Sequence, residues 1–287
     1  MKKWLNWDLG DLDLAEDDVQ QDLIEKVPRT EGIFGKFPLD KFMDDLEHTG
    51  LLERLRQRGY QRFRPHMEKK DLFSERLRLF GQHLDYPDEL QLMDIKSHRA
   101  SLESPWKERY RALGWDWVEM QDPTARPSPY RPVLPGQKHP GLGMFRSLTR
   151  LMLAYVDHLG LQALTAIPLY FHNAVLYSSS FYFLDSAVQG RFMAMCRDLL
   201  HDGLAPASWW VARQEVEMVE RSTGLAQPYE WGAALIVKPL CEEMQARIDS
   251  PEYQQACQQA MEAVEFRHCQ PPAEKSSPAD TPSGGLI

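Results

Sequence analysis

Residues 134–152, LPGQKHPGLGMFRSLTRLM, place two prolines and three glycines in ten residues and then begin a strongly patterned segment. Phe145, Leu148, Met152, Tyr155 and Leu159 recur at helical spacing, so they form one apolar face of a helix that Gly160 stops. A strand that ends in a glycine-bearing loop and runs into a helix leaves the first N–H groups of that helix without intrahelical partners. With the positive end of the helix dipole, those groups form a site for phosphate or pyrophosphate. Gly141 and Gly143 line the turn, and Arg146 and Arg150 fall in the first turns of the helix. The same composition also makes a plain tight loop, with the two arginines as ordinary solvated charges. The junction therefore needs a second element to give it meaning.

Upstream, PLDKFMDDLEHTGLLERLRQRGY (38–60) reads as two short helices: Pro38 suits a first turn, Thr49-Gly50 interrupts, and Gly59 closes the second. DLFSERLRLFG, ELQLMDIKSHRA and GWDWVEMQ alternate apolar and polar residues and read as three strands. The proline-rich stretch DPTARPSPYRPVLPGQKHPG (122–141) excludes regular structure, since proline removes donors and restricts its neighbours. Downstream, LQALTAIPLYF reads as a buried strand broken at Pro168 and HNAVLYSSS as a short helix capped by Asn173. A helix over 186–201 follows. ASWWVARQEVEMV and YEWGAALIVKPL read as two strands pairing across the STG turn, with Trp209, Trp210 and Trp231 in the sheet core, and two helices come last. The order predicts an α/β mixture around one central sheet. Residues 1–37 read as an acidic arm and 241–269 as a C-terminal helical extension. The segment 270–287 has the composition of a disordered tail.

The chain has 287 residues, 43% hydrophobic and 26% charged, with a formal net charge of −9. That acidity argues against nucleic acid as the main partner. The base-rich run 51–81 reads as a solvated helical face, with a basic lip for an anionic ligand as the sharper alternative. Four dispersed cysteines (Cys196, Cys241, Cys257, Cys269) indicate neither a zinc site nor a disulfide framework, which fits a reducing cytoplasm. The start is not a secretory signal. The most apolar stretch, 161–177, is too interrupted to span a bilayer, so no membrane association is expected. Serine hydrolase, zincin and P-loop patterns are missing.

The second element is FHNAVLYSSSFYFLD, which sets Asn173 and Tyr177 four residues apart on one helix face. Together with the glycine loop, it resembles the GNAT superfamily of N-acetyltransferases over roughly residues 38–240. The family's pyrophosphate loop, Gln/Arg-x-x-Gly-x-Gly/Ala at the start of the central helix, maps onto Lys138-His139-Pro140-Gly141-Leu142-Gly143. Its later N..A..LY...GF segment maps onto Asn173 to Phe181. Lys138 stands where the family has Gln or Arg, and Ser180 where it has Gly. The resemblance implies a mixed, mostly antiparallel sheet flanked by helices, splayed between the strands around the central helix. It further implies an acyl-CoA-dependent N-acyltransferase, with acetyl-CoA as co-substrate and a small-molecule or peptide amine as acceptor. The alternative is a non-catalytic acyl-CoA-binding or protein-interaction module on the same fold.

Direct transfer needs orientation, a base for the amine, support for the oxyanion and a proton donor for the thiolate. The resemblance gives Tyr177 the role of thiolate acid and Asn173 that of a CoA contact. It places Lys138, His139, Gly141, Leu142, Gly143 and Met144 around the pyrophosphate and a backbone N–H near Met120 at the oxyanion. Glu119 is the first choice of base, on the strand flanking the acyl slot, and Asp94 on the neighbouring strand is the second. His139 and His172 lie close to the two motifs, as loop or capping partners before they are bases. No metal is called for. The acceptor's identity and the oligomeric state are left open by the residues.

Overall fold

The computed structural model describes residues 32–69 and 74–269. The first 31 residues of the expected arm and the expected tail from 270 lie outside them. Two helices, α1 (Leu39–His48) and α2 (Leu51–Arg56), precede four strands, β1 (Tyr60–Lys69), β2 (Ser74–His83), β3 (Glu89–Glu103) and β4 (Arg109–Met120). Then come α3 (Phe145–His158), β5 (Ala163–Ala166), α4 (Phe171–Tyr177), β6 (Tyr182–Phe183), α5 (Ser186–Leu199) and α6 (Leu204–Ala212). Strands β7 (Val216–Glu220), β8 (Ala226–Pro228) and β9 (Ile236–Pro239), helices α7 (Glu242–Ile248) and α8 (Pro251–Ala263), and β10 (Val264–His268) complete the order.

The main sheet has seven strands in the order β1-β2-β3-β4-β5-β9-β6. Every pairing in it is antiparallel except β4 with β5, which is parallel and is connected through α3. The chain is thus a mixed α/β protein with a mostly antiparallel sheet flanked by helices. The two helices, three strands and central helix fall where their patterns put them.

Several readings need correction. The base-rich run is a helical face only at its start: Arg54 and Arg56 lie on α2, but Arg62 and Arg64 lie on β1 and Arg76 and Arg78 on β2. Strand β1 escaped the pattern because it is an edge strand, burying little beyond Tyr60, and it tolerates Pro65 where a central strand would not. The stretch ASWWVARQEVEMV is half helix (α6) and half strand (β7), so Trp209 and Trp210 are helical and not sheet core. Strand β7 does turn back across Ser222–Gly224, but onto β8, in a second sheet ordered β10-β7-β8. Strand β9 joins the main sheet instead. The described residues therefore form two sheets, and the C-terminal segment contributes a strand as well as helices.

One face of β2–β4 carries Leu77, Leu79, Ile95 and Trp115, which join a single core with Phe42, Leu46 and Leu55 of the first two helices and Leu148, Met152 and Tyr155 of α3. Residues 32–37 are built into that core. Ile33, Phe34 and Phe37 are buried, and Phe37 stacks on Tyr155 with centroids 4.5 Å apart. On the opposite face, Leu102, Tyr110, Ala112, Ala163 and Val237 are covered by Met244 of α7. Toward the other end of β2–β4 that second face carries charge instead of apolar side chains.

Candidate functional site

The β4–β5 ladder has only four rungs, Ala112↔Ala163 through Trp115↔Ala166. Beyond Trp115, β4 runs on to Met120 while β5 has ended ahead of Pro168. Among the described residues, backbone pairing on that side resumes where the glycine loop returns, as a bridge between Gln121 and Gly141. Leu142 N donates to Met120 O at 3.0 Å and Asp122 N to Pro140 O at 2.9 Å. Gln121 N bonds Leu92 O, so the alternation of an antiparallel ladder turns the N–H groups of Val118 and Met120 away from β3, toward the gap.

The loop is held from beneath. Leu142 and Met144 bury their side chains in the core, and the buried Gln121 carboxamide accepts the N–H groups of Lys138 (3.0 Å) and His139 (2.8 Å). Two of the amides expected to meet a ligand are therefore already engaged. The open donors are one step later. Met144, the N-cap of α3, makes no side-chain cap, and the first bonds of the turn run from Ser147 N and Leu148 N to Met144 O. The N–H groups of Gly143, Met144, Phe145 and Arg146 have no backbone partner among the described residues. Gly143 is exposed at φ +68°, a conformation in which a side chain is strained, although a Cβ there would meet nothing within 4 Å. Lys138, Arg146 and Arg150 are exposed.

Charge at the loop comes from residues that its own motif did not reveal. Asp122 is buried and accepts Tyr60 Oη (2.7 Å), Thr124 Oγ1 (2.9 Å) and Arg131 Nη2 (2.9 Å), with Arg58 Nη1 3.6 Å away. Burial pulls its pKa up, but these hydrogen bonds and Arg131 hold it below the ordinary carboxylate value. Two guanidiniums on one carboxylate leave one positive charge in excess. Arg131 also reaches Gly141 O at 3.2 Å. The only signal for this was the base-rich run, whose reading as an anion lip included Arg58. Arg131 lay in the proline-rich segment, which had no assigned role.

Tyr177 ends α4 and is buried against Trp115 (centroids 6.1 Å), Phe145 (4.9 Å) and Phe181 (4.9 Å). It thus joins the last β4–β5 rung to the first residue of α3. Burial pushes its phenol pKa up, keeping the proton on. Asn173 does not cap its helix: the N-cap is Tyr170, and Asn173 sits inside α4 with intermediate exposure. His172 is 2% exposed, stacks on Tyr170 (5.6 Å), and burial pushes its pKa down to about 4, so it is neutral.

The two candidate bases face each other across β3 and β4, Asp94 opposite Glu119. Asp94 is buried with both oxygens on Arg76, at 2.8 and 2.5 Å. Glu119 is partly exposed and accepts Trp117 Nε1 at 3.2 Å. Close by lies a group that pattern reading missed: His98 Nδ1 is 2.8 Å from Asp116 Oδ1, and Lys96 Nζ is 3.2 Å from Asp116 Oδ2.

No protein-family model matches the sequence, and no curated protein matches it either. Among the described residues no cluster of His, Cys, Asp and Glu is arranged to hold a metal, and no helix is long and apolar enough to cross a membrane.

Proposed function

We propose that the chain is an acyl-CoA-dependent N-acyltransferase of the GNAT type, using acetyl-CoA as donor and passing the acyl group directly to an amine. The observation that carries this reading is the coincidence of three features: a β4–β5 ladder that stops at Trp115↔Ala166, the uncapped N-terminus of α3 beside it, and Tyr177 touching both. The gap between the strands would take the pantetheine arm. The amides of Gly143 to Arg146, with the excess charge of Arg58 and Arg131, would take the pyrophosphate. That contact supplies binding energy far from the bond that changes. The N–H groups of Val118 and Met120 are candidates to support the oxyanion, and Tyr177 would protonate the departing thiolate.

Thermal shift with CoA and acetyl-CoA tests the reading. Saturating ligand at about 100 times its Kd stabilises by roughly 2.7 kcal/mol, a shift of several degrees. Gly143→Val and Arg131→Ala should weaken it. An unmoved Tm at millimolar acetyl-CoA would sink the proposal. Asp94 being spent on Arg76 favours a second reading, a CoA-binding module without turnover. On that reading CoA shifts the Tm while acetyl-CoA yields no thiol above background across an amine panel.

A further inference from the structure

We infer that His98 is the general base of the transfer, oriented by Asp116, and that the amine arrives on the charged face of β2–β4, opposite the face where Tyr177 lies. This rests on the acyl-CoA reading and names a residue that the sequence patterns did not. A base must be reachable, oriented and not already committed. Asp94 fails the last condition and Lys96 is engaged with Asp116. The imidazole of His98 lies flat across Gly114, its pairing partner on β4, where an added Cβ would fall 2.3 Å from Cε1. Only glycine at 114 leaves space for the ring. The side chain is 27% exposed, so solvent and small amines reach it.

Asp116 supplies the orientation. It is the extra residue of a β4 bulge, since Lys96 pairs with Trp117 and Ser97 with Trp115. Bulges re-aim side chains, and this one turns Asp116 onto the same face as His98 and Lys96. Burial pulls the Asp116 pKa up, while His98 and Lys96 hold it below the ordinary value, so it is negative at neutral pH. A carboxylate beside Nδ1 favours the tautomer with hydrogen on Nδ1 and the lone pair on Nε2. The two atoms are close without being aligned as a hydrogen bond. Lys96 and Asp116 are the charged groups facing His98 from β3 and β4. Ser74 pairs with it from β2, and Thr165 lies across Gly114 on β5.

Position completes the argument. Asp116 directly follows Trp115, the last residue paired with β5, so the pair flanks the point where the strands part. Tyr177 packs on Trp115 from the other face. Direct transfer needs a base where the amine enters and an acid where sulfur leaves, two different corners of the tetrahedral carbon. As the N–C bond forms, the amine proton passes to His98 Nε2. As the C–S bond breaks, the thiolate takes the Tyr177 proton. The imidazolium then returns its proton to the phenolate through solvent, leaving amide and CoA thiol.

Bromoacetyl-CoA tests this without a known acceptor. Imidazole nitrogen displaces bromide from the methylene carbon, and peptide mass spectrometry locates the adduct. The expected result is alkylation of His98 that excess CoA prevents and that slows in Asp116→Asn. His98→Gln and His98→Asn should lose the adduct while keeping the CoA thermal shift. Adducts elsewhere, or none, in protein that still binds CoA would overturn the assignment of His98 and leave the acyl-CoA reading standing. No thermal shift with CoA would overturn both. Nitrogen-15 spectra of wild-type protein need no variant: an Nε2–H tautomer at His98 would also refute the inference.

Discussion

The two faces of β4 differ sharply in what they carry. On one, Leu113 and Trp115 meet Tyr177 and Phe181 in a core that excludes water. On the other, one to four residues along the same strand, Asp116, Trp117 and Glu119 join His98, Lys96, Asp94 and Arg76 in a layer of charge. The boundary is the bulge at Asp116. Plain alternation would put Trp115 and Trp117 on one face; instead Trp115 is 4% exposed and Trp117 42%. One inserted residue thus divides an aromatic wall from a polar surface at the place where β5 departs.

The most severe test of that division is a pair of substitutions. Trp115→Ala should cost about 3–5 kcal/mol in urea unfolding, because it empties a packed site between the sheet and α4. Trp117→Ala should cost well under about 1 kcal/mol, as surface changes do. Equal losses would mean that the two tryptophans share a face and that the bulge is wrongly placed.

Next in size is an effect of acid on the apolar side. His172 is buried and neutral, with its pKa pushed from 6.5 to about 4, and its Nδ1 finds no partner among the described residues. The unfolded chain therefore binds a proton more readily than the folded one. Stability is full above pH 6.5 and is lost as pH falls toward 4, by up to about 3 kcal/mol. His172→Gln should flatten that part of the stability profile. A wild-type profile that is already flat between pH 6.5 and 4 would place the imidazole in water instead.

How much of this was legible in the sequence depends on whether the signal was local. The helical face of α3, the glycine turn before it and the alternation of β2 and β3 are set by neighbouring residues, and they came out at nearly the right boundaries. Strand β1 was missed because an edge strand need not alternate, and α6 because its tryptophans resemble a strand's. The expected Asn173 cap failed because the helix begins earlier, at Phe171. In the candidate site, Tyr177 and the glycine loop were visible as short motifs. His98 with Asp116 and Arg58 with Arg131 were not, since each pair is brought together by strand register or loop path across 18 residues or more.

On the charged side, Asp94→Asn should cost roughly 1–3 kcal/mol, because it leaves the Arg76 guanidinium facing a neutral amide in a buried contact. The loss should change little with salt, unlike that of the exposed Arg64–Glu89 pair, whose removal should be close to neutral. If Asp94→Asn proves as mild as breaking Arg64–Glu89, the carboxylate is solvated and regains its candidacy as a base.

The smallest expected change in stability is the one that separates packing from chemistry. The Tyr177 ring touches Trp115, Phe145 and Phe181, but its hydroxyl has no hydrogen-bond partner among the described residues. Tyr177→Phe keeps every ring contact and removes only the hydroxyl. Its Tm should hold or rise slightly, within about 0.5 kcal/mol of wild type. The hydroxyl is therefore the atom whose chemistry this variant tests. If it protonates the leaving thiolate, the same variant should bind acetyl-CoA unchanged and release thiol roughly a hundredfold more slowly, with kcat falling and KM for acetyl-CoA steady. A matching loss of affinity would instead make the hydroxyl a binding contact and move the acid elsewhere on the aromatic face.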